Sequence, residues 1–179
     1  MSKINIFCFG FGQVAEGFIN KLIQEKKDFD LSITSRQETH QIELNNFKIT
    51  SYHFTDDKFD NSIDKKIKEA NYILISIPPI GGKDIVAKYF DKNLQGITNC
   101  KWITYLSATS VYGDHKGEWV NENSTTKPTS PSGSSRLAAE NTWKKLSNKN
   151  KYPLQIFRLA GIYSNEHNIL KRLQTGKLQ

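Results

Sequence analysis

Three small residues near the N-terminus have the spacing of a phosphate-binding turn. Gly10, Gly12 and Ala15 form the pattern G-x-G-x-x-A directly after an apolar run, Ile4–Phe9. In such a pattern the first glycine permits a tight turn, the second lets the backbone approach a pyrophosphate, and the small third residue lets a helix pack against the strand. The helix would direct free N–H groups and its positive dipole end at the phosphates. The pattern predicts a dinucleotide here, although a tight turn without a ligand has the same letters.

The residues at the end of the second predicted strand bear on the choice of dinucleotide. An acidic residue at this point would hydrogen-bond the ribose 2′-hydroxyl of NAD, whereas an arginine would suit the 2′-phosphate of NADP. The sequence reads Thr34, Ser35 and Arg36, with no acid before Glu38. The planar guanidinium of Arg36 can hold a phosphate, and the two hydroxyls can donate to it. NADP is therefore preferred over NAD, with an ordinary exposed arginine as the alternative.

The hydrophobic pattern alternates short β-type runs with helical ones, and these elements must position the turn. Strands are predicted at 4–9, 31–34, 47–54, 72–77, 102–106 and 154–159, and helices after the glycine turn, at 62–70, around 85–90 and around 139–146. Strands that alternate with helices favour a doubly wound parallel sheet of the α/β class, covered on both faces.

Length and composition limit the class of protein. A chain of 179 residues with 37% hydrophobic residues can bury one core. No apolar run is long enough for a membrane helix, and the N-terminus lacks the pattern of a secretory signal. Cys8 and Cys100 do not have metal-ligand spacing, and the four histidines are scattered, so no metal site is predicted. A buried free thiol suits a reducing cytosol, and we expect a cytoplasmic protein that does not bind membranes.

The positive charge is concentrated at one end of the chain. Residues 1–143 contain 17 basic and 17 acidic residues, and residues 144–179 contain eight basic residues and one acidic residue, which gives the net charge of +7. A nucleic-acid protein would use such a tail for phosphate contacts. The tail carries no recognised nucleic-acid motif, so a solvated surface is the favoured interpretation and nucleic acid is not an expected partner.

Three further motifs accompany the glycine turn. They are S-x-x-S-V-Y-G at 107–113, P-S-G-S-S-R-L-A-A-E at 131–140 and F-R-L-A-G-I-Y at 157–163. Together the four motifs resemble the extended short-chain dehydrogenase/reductase family, the NAD(P)-dependent epimerases and dehydratases, in its atypical branch. The resemblance spans almost the whole chain and implies a Rossmann-type domain that binds NADP or NAD.

The family's catalytic residues are replaced in this sequence. The family uses a tyrosine four residues before a lysine, with a serine or threonine after the fifth strand, and the tyrosine acts as general acid or base. These positions hold Ser132, Arg136 and Ala108, respectively. A serine hydroxyl has no useful pKa near neutrality, and a permanently charged arginine cannot transfer protons. Ser107, Thr109 and Tyr112 are the candidate substitutes, and the catalytic residues stay unassigned.

The resemblance implies an oxidoreductase or isomerase that acts on a sugar nucleotide or similar polar metabolite, with weak or absent activity. The alternative is a non-catalytic dinucleotide sensor or binding module. The predicted cofactor site, with Asp56 near the adenine, consists of Gly10, Gly12, Gln13, Val14, Thr34, Ser35, Arg36, Asp56, Ser76, Ile77, Pro78, Ser107 and Arg136.

The resemblance also bears on domains and assembly. Residues 1–164 are expected to form the dinucleotide-binding domain, and residues 165–179, with a helix around 168–174, to begin a substrate-binding lobe that is largely missing here. Family members commonly dimerise through two helices, which correspond to 83–93 and 134–146. Tyr89, Phe90, Leu137 and Trp143 would then meet a partner, or would only face the sheet.

Overall fold

The computed structural model of the chain describes residues 3–93, 97–164, 168, 173 and 174. Strands alternate with helices along most of the chain, and a short 3₁₀ helix (Thr109–Val111) follows β6. The elements are β1 (Ile4–Phe9), α1 (Gln13–Gln24), β2 (Phe29–Ser35), β3 (His40–Leu44), β4 (Phe47–His53), α2 (Ser62–Glu69), β5 (Tyr72–Ile75), α3 (Ile85–Asn93), β6 (Trp102–Ala108), α4 (Pro131–Asn150) and β7 (Leu154–Leu159).

The seven strands form one sheet in the order β3-β4-β2-β1-β5-β6-β7. All neighbouring pairs are parallel except β3 with β4. The predicted doubly wound α/β fold is therefore confirmed. The chain leaves β1 toward β2 on one side and later returns to β5 on the other, so β1 lies at the point where the strand order reverses. Ligands of open α/β sheets bind at this point, beyond the carboxyl ends of the strands.

One strand was missing from the sequence prediction. Residues 40–44 form β3, which pairs antiparallel with β4 through a two-residue turn at Asn45 and Asn46. Both asparagines have positive φ, 49° and 66°, as a tight hairpin turn of the primed type requires. The strand lies at the sheet edge and carries polar residues, so its apolar pattern is weak. The other predicted strands are confirmed, with changes at their ends.

The sheet is buried on both faces, as its alternating side chains require. Phe7 and Phe9 of β1 pack on the face covered by α2, α3 and α4, and Ile6 and Cys8 pack on the face covered by α1. Burial raises the pKa of the Cys8 thiol to about 12, so this cysteine is neutral and inert at physiological pH.

The C-terminal prediction cannot be compared with the structure. Most of residues 165–179, including most of the helix expected around 168–174, lie outside the described residues. In the part of the chain that is described, no helix has the length and apolarity needed to cross a membrane.

Candidate functional site

The glycine turn joins β1 to α1 at the reversal point of the sheet. Gly10 has a φ of 78°, and a Cβ there would lie 2.9 Å from Ile77 Cγ1, so both backbone and packing require glycine. Gly12 differs, because its φ of −86° suits any residue and a Cβ would meet only Ser76 Oγ, at 3.6 Å. The fold itself does not require glycine at position 12. A ligand that lies against the backbone would require it.

The first turn of α1 is open to a ligand. Gly12 is the N-cap and offers no side-chain hydrogen bond, so the first N–H groups of α1 keep their capacity to donate. Gln13 is exposed and Val14 is half-buried at this end of the helix. Ala15 is fully buried against the sheet, as the motif predicts. The turn therefore has the geometry of an anion site at a helix N-terminus.

Thr34 holds the glycine turn rather than facing a ligand. Its side chain is buried, and its Oγ1 accepts a hydrogen bond from the Gly10 N–H at 2.9 Å. On the other side of β1, the N–H groups of Ser76 and Ile77 donate to the Phe9 carbonyl at 2.9 and 3.1 Å. The ends of β2 and β5 therefore both fix the turn. Pro78 follows on the same side.

Ser35 and Arg36 lie at the end of β2. The Ser35 hydroxyl accepts hydrogen bonds from the Ser51 hydroxyl at 3.0 Å and from the Gln37 N–H at 3.3 Å. Arg36 is exposed and makes no hydrogen bond or ion pair with any residue that the structure describes. Its guanidinium keeps all its donors for a ligand.

Asp56, expected near the adenine, forms an ion pair with Lys88 of α3. Its Oδ1 lies 2.6 Å from the Lys88 ammonium, and this hydrogen bond holds the pKa of the carboxyl below its usual value. The pair lies on the rim of a small groove that Phe54, Phe59 and Ile85 also line. An adenine contact by Asp56 would have to share the carboxylate with Lys88.

The three positions at which the resemblance places catalytic residues are Ala108, Ser132 and Arg136. Ala108 ends β6, and Ser132 is exposed in the first turn of α4. The Arg136 Nη1 donates to the Leu106 carbonyl at 2.5 Å, which ties the guanidinium to the end of β6. No hydrogen bond links these three residues to one another.

The three residues expected to replace the catalytic groups differ in how their side chains are engaged within the fold. The Ser107 hydroxyl is buried and donates to Glu140 Oε1 at 2.7 Å, so it is engaged within the fold. Tyr112 is buried, and the Arg158 guanidinium lies 4.8 Å from the centroid of its ring. Thr109 is exposed at the start of the 3₁₀ helix and makes no hydrogen bond through its hydroxyl in the described part of the chain. Thr109 therefore presents a free hydroxyl, and Tyr112 lines the same surface groove as Thr109.

The sequence reading missed the ion pair between Glu140 and Arg158. Arg158 Nε and Nη2 donate to the two carboxylate oxygens of Glu140 at 3.0 and 2.8 Å. Burial raises the pKa of Glu140, but the hydrogen bonds from Arg158 and Ser107 and the Arg158 charge outweigh this and hold it below its usual value. Two features of the sequence could have indicated this ion pair: an acid on the buried face of α4 and an arginine within β7.

The residues expected at a dimer interface are mostly in the core. Tyr89, Phe90 and Trp143 are buried, and Leu137 is half-buried. The Trp143 indole also donates to Asp84 Oδ2 at 2.9 Å. Tyr89, Phe90 and Trp143 therefore belong to the core, and a partner would have to contact Leu137 or other residues of α3 and α4.

The fold and the glycine turn define a Rossmann-type protein, and several solved structures are similar to it. No known family model matches the chain, and no curated protein matches its sequence. A conserved protein of unknown function from Silicibacter pomeroyi DSS is 26% identical over 94% of this chain and 56% of its own, with a TM-score of 0.67.

Two sugar-nucleotide epimerases have the same fold at lower identity. UDP-N-acetylglucosamine 4-epimerase from Methanobrevibacter ruminantium M1, solved with UDP-N-acetylmuramic acid, has a TM-score of 0.74 at 16% identity, over 99% of this chain and 64% of that one. UDP-glucuronic acid 4-epimerase from Bacillus cereus, solved with NAD, has a TM-score of 0.67 at 15% identity, over 96% and 64%. The chain spans less than two thirds of the length of these proteins.

Proposed function

We propose that this chain binds a nicotinamide adenine dinucleotide across the glycine turn. The observation that carries the proposal is Gly12, at which the fold leaves room for a side chain at the uncapped start of α1. The pyrophosphate would lie over residues 10–14 and accept hydrogen bonds from the first N–H groups of the helix. The solved structures of the same fold that contain NAD support this choice of ligand.

We further propose that NADP(H) binds more tightly than NAD(H). Arg36 follows β2, where the ribose 2′-substituent would lie, and its guanidinium has no protein partner among the described residues. A guanidinium holds a phosphate through paired hydrogen bonds. The Ser35 hydroxyl, from the neighbouring residue, would be a second hydrogen-bonding group for the 2′-phosphate.

For the reaction, we propose weak or absent turnover on a sugar nucleotide or similar polar metabolite. A bound nicotinamide would supply hydride transfer, but the chain must supply the proton. Ser132 lacks a suitable pKa, Arg136 is tied to the Leu106 carbonyl, and Ser107 is tied to Glu140. General acid–base catalysis contributes roughly 10²–10⁴-fold, and none of these groups can provide it.

The second candidate is a non-catalytic dinucleotide sensor, favoured by the same engaged side chains. Two measurements separate it from the enzyme. Calorimetric titration with NADPH and NADH should detect binding, and a panel of sugar nucleotides and other polar metabolites should then show little or no turnover. Robust turnover would reject the sensor and indicate Thr109, Tyr112 or a partner chain as the proton donor. No binding of either dinucleotide would reject both candidates.

A homodimer through α3 and α4 also stays a proposal. With Tyr89, Phe90 and Trp143 buried, the outer surfaces of the two helices would have to form the contact. Sedimentation at tens of micromolar distinguishes the two states, and a monomer would reject this interface.

A further inference from the structure

The segment after β2 is fixed to the segment after β4 by a set of hydrogen bonds. The Thr39 hydroxyl donates to Asp60 Oδ2 at 2.6 Å and accepts from the His53 N–H at 3.1 Å. The His53 Nδ1 lies 3.0 Å from the Gln37 carbonyl oxygen. Residues 37 and 39 are therefore both held toward β4, which determines the direction in which the intervening Glu38 projects.

Glu38 projects onto Lys58. Its Oε1 lies 2.8 Å from the Lys58 ammonium, which holds the pKa of this carboxyl below its usual value. A tight turn fixes the backbone of Lys58, because the Thr55 N–H donates to the Lys58 carbonyl at 2.8 Å and the Lys58 N–H donates to Thr55 Oγ1 at 3.1 Å. This turn therefore positions Lys58 next to Glu38.

The ion pair between Glu38 and Lys58 bears on the choice between NAD and NADP. A carboxylate in this region favours a ribose 2′-hydroxyl and repels a 2′-phosphate, which is the basis of discrimination between NAD and NADP. Glu38 is two residues from Arg36 and is the first acid after β2. With Lys58 bound to it, its charge is compensated, and Arg36 is left as the unpaired charge beside the site.

We propose that Lys58 determines the cofactor preference by neutralising Glu38, so that Arg36 can accept the 2′-phosphate. Lys58 is a positioning residue in this account and does not touch the cofactor. The inference rests on the proposed NADP(H) site. Its magnitude follows from Coulomb's law, since a phosphate dianion about 8 Å from a freed carboxylate in water would lose roughly fivefold in affinity.

The test is a double-mutant cycle on Lys58 and Glu38, read out as calorimetric affinity for NADPH and for NADH at low ionic strength. Lys58→Met keeps the apolar stem and removes the charge, and it should weaken NADPH binding roughly three- to tenfold while NADH binding is unchanged or tighter. Adding Glu38→Gln to Lys58→Met should restore NADPH affinity. Lys66→Met is the matched control, because it breaks a half-exposed ion pair with Glu69 beside the amino ends of β1 and β2, away from the glycine turn, and should change neither affinity.

Several results would overturn the proposal. If the double variant binds NADPH as weakly as Lys58→Met, Lys58 contacts the phosphate directly. If Lys58→Met weakens both dinucleotides equally or changes neither, it has no role in discrimination. The wild-type chain is measured first, so that failure to bind either dinucleotide is recognised as failure of the proposed function, with which this inference also falls.

Discussion

The Ser107 hydroxyl donates a hydrogen bond to the buried carboxylate of Glu140 at 2.7 Å. The contact joins the end of β6 to the middle of α4, and Arg158 of β7 holds the same carboxylate from the other side. A serine that the sequence offers as a substitute catalytic hydroxyl is therefore part of the structural framework in this chain. Its role is to fix the strand end against α4.

Ser107→Ala should destabilise the chain and leave dinucleotide binding unchanged. A hydrogen bond to a charged group contributes about 1.5–3 kcal/mol, and its loss should appear as a lower free energy of unfolding in urea. Ser134→Ala is the matched control, because Ser134 is exposed on α4 and should change stability by less than about 0.5 kcal/mol. A large fall in NADPH affinity for Ser107→Ala with unchanged stability would show that the hydroxyl serves the ligand.

Glu140→Gln should lower the free energy of unfolding more than Ser107→Ala does, and it should alter the pH dependence of that free energy. Removal of one partner of a buried ion pair costs about 3–5 kcal/mol, and slightly less is expected here because Arg158 is partly exposed. The pKa of Glu140 is below its usual value in the folded chain, so its stabilisation is present above the unfolded-state pKa of about 4.3 and is lost as the pH falls through the folded-state pKa.

The difference in unfolding free energy between wild type and Glu140→Gln should therefore be largest near neutrality and should narrow below about pH 4.5. Urea unfolding of both proteins across this pH range measures it. A difference that stays constant with pH would mean that ionisation of Glu140 does not stabilise the fold.

Gly10→Ala should destabilise the glycine turn itself. Its φ of 78° disfavours a side chain by about 1–2 kcal/mol, and the added Cβ would press on Ile77. Gly17→Ala is the control, because position 17 lies on the exposed side of α1 with no atom near its Cβ, and alanine there should stabilise the helix by up to about 1 kcal/mol. Equal thermal stability of the two variants would contradict the assigned role of Gly10.

Arg36→Ala tests the cofactor preference without touching the turn. If Arg36 holds the 2′-phosphate, the variant should lose about 1.5–3 kcal/mol of NADPH binding, while NADH affinity barely moves. Calorimetry with both dinucleotides gives the comparison. Equal losses for the two would show that Arg36 has no role in discrimination.

Much of the fold follows from the sequence, since continuous apolar runs such as Tyr72–Ile75 identify buried parallel strands and a short motif identifies the turn between β1 and α1. The features that the sequence did not reveal depend on contacts between residues that lie far apart in the chain. The edge strand β3 is recognisable only through its pairing with β4. Ser107 looked available for chemistry because its partner Glu140 is 33 residues away in the sequence.

The most direct test of the dinucleotide site compares Gly12→Val with Gly17→Val. Both glycines are exposed, and an added Cβ meets only Ser76 Oγ, at 3.6 Å, at position 12 and nothing within 4 Å at position 17, so both variants should fold with near wild-type circular dichroism. NADPH titrated into each by calorimetry should bind to Gly17→Val as to wild type and should fail to bind to Gly12→Val, because valine occupies the space of the pyrophosphate. Wild-type affinity in a folded Gly12→Val protein would contradict the account.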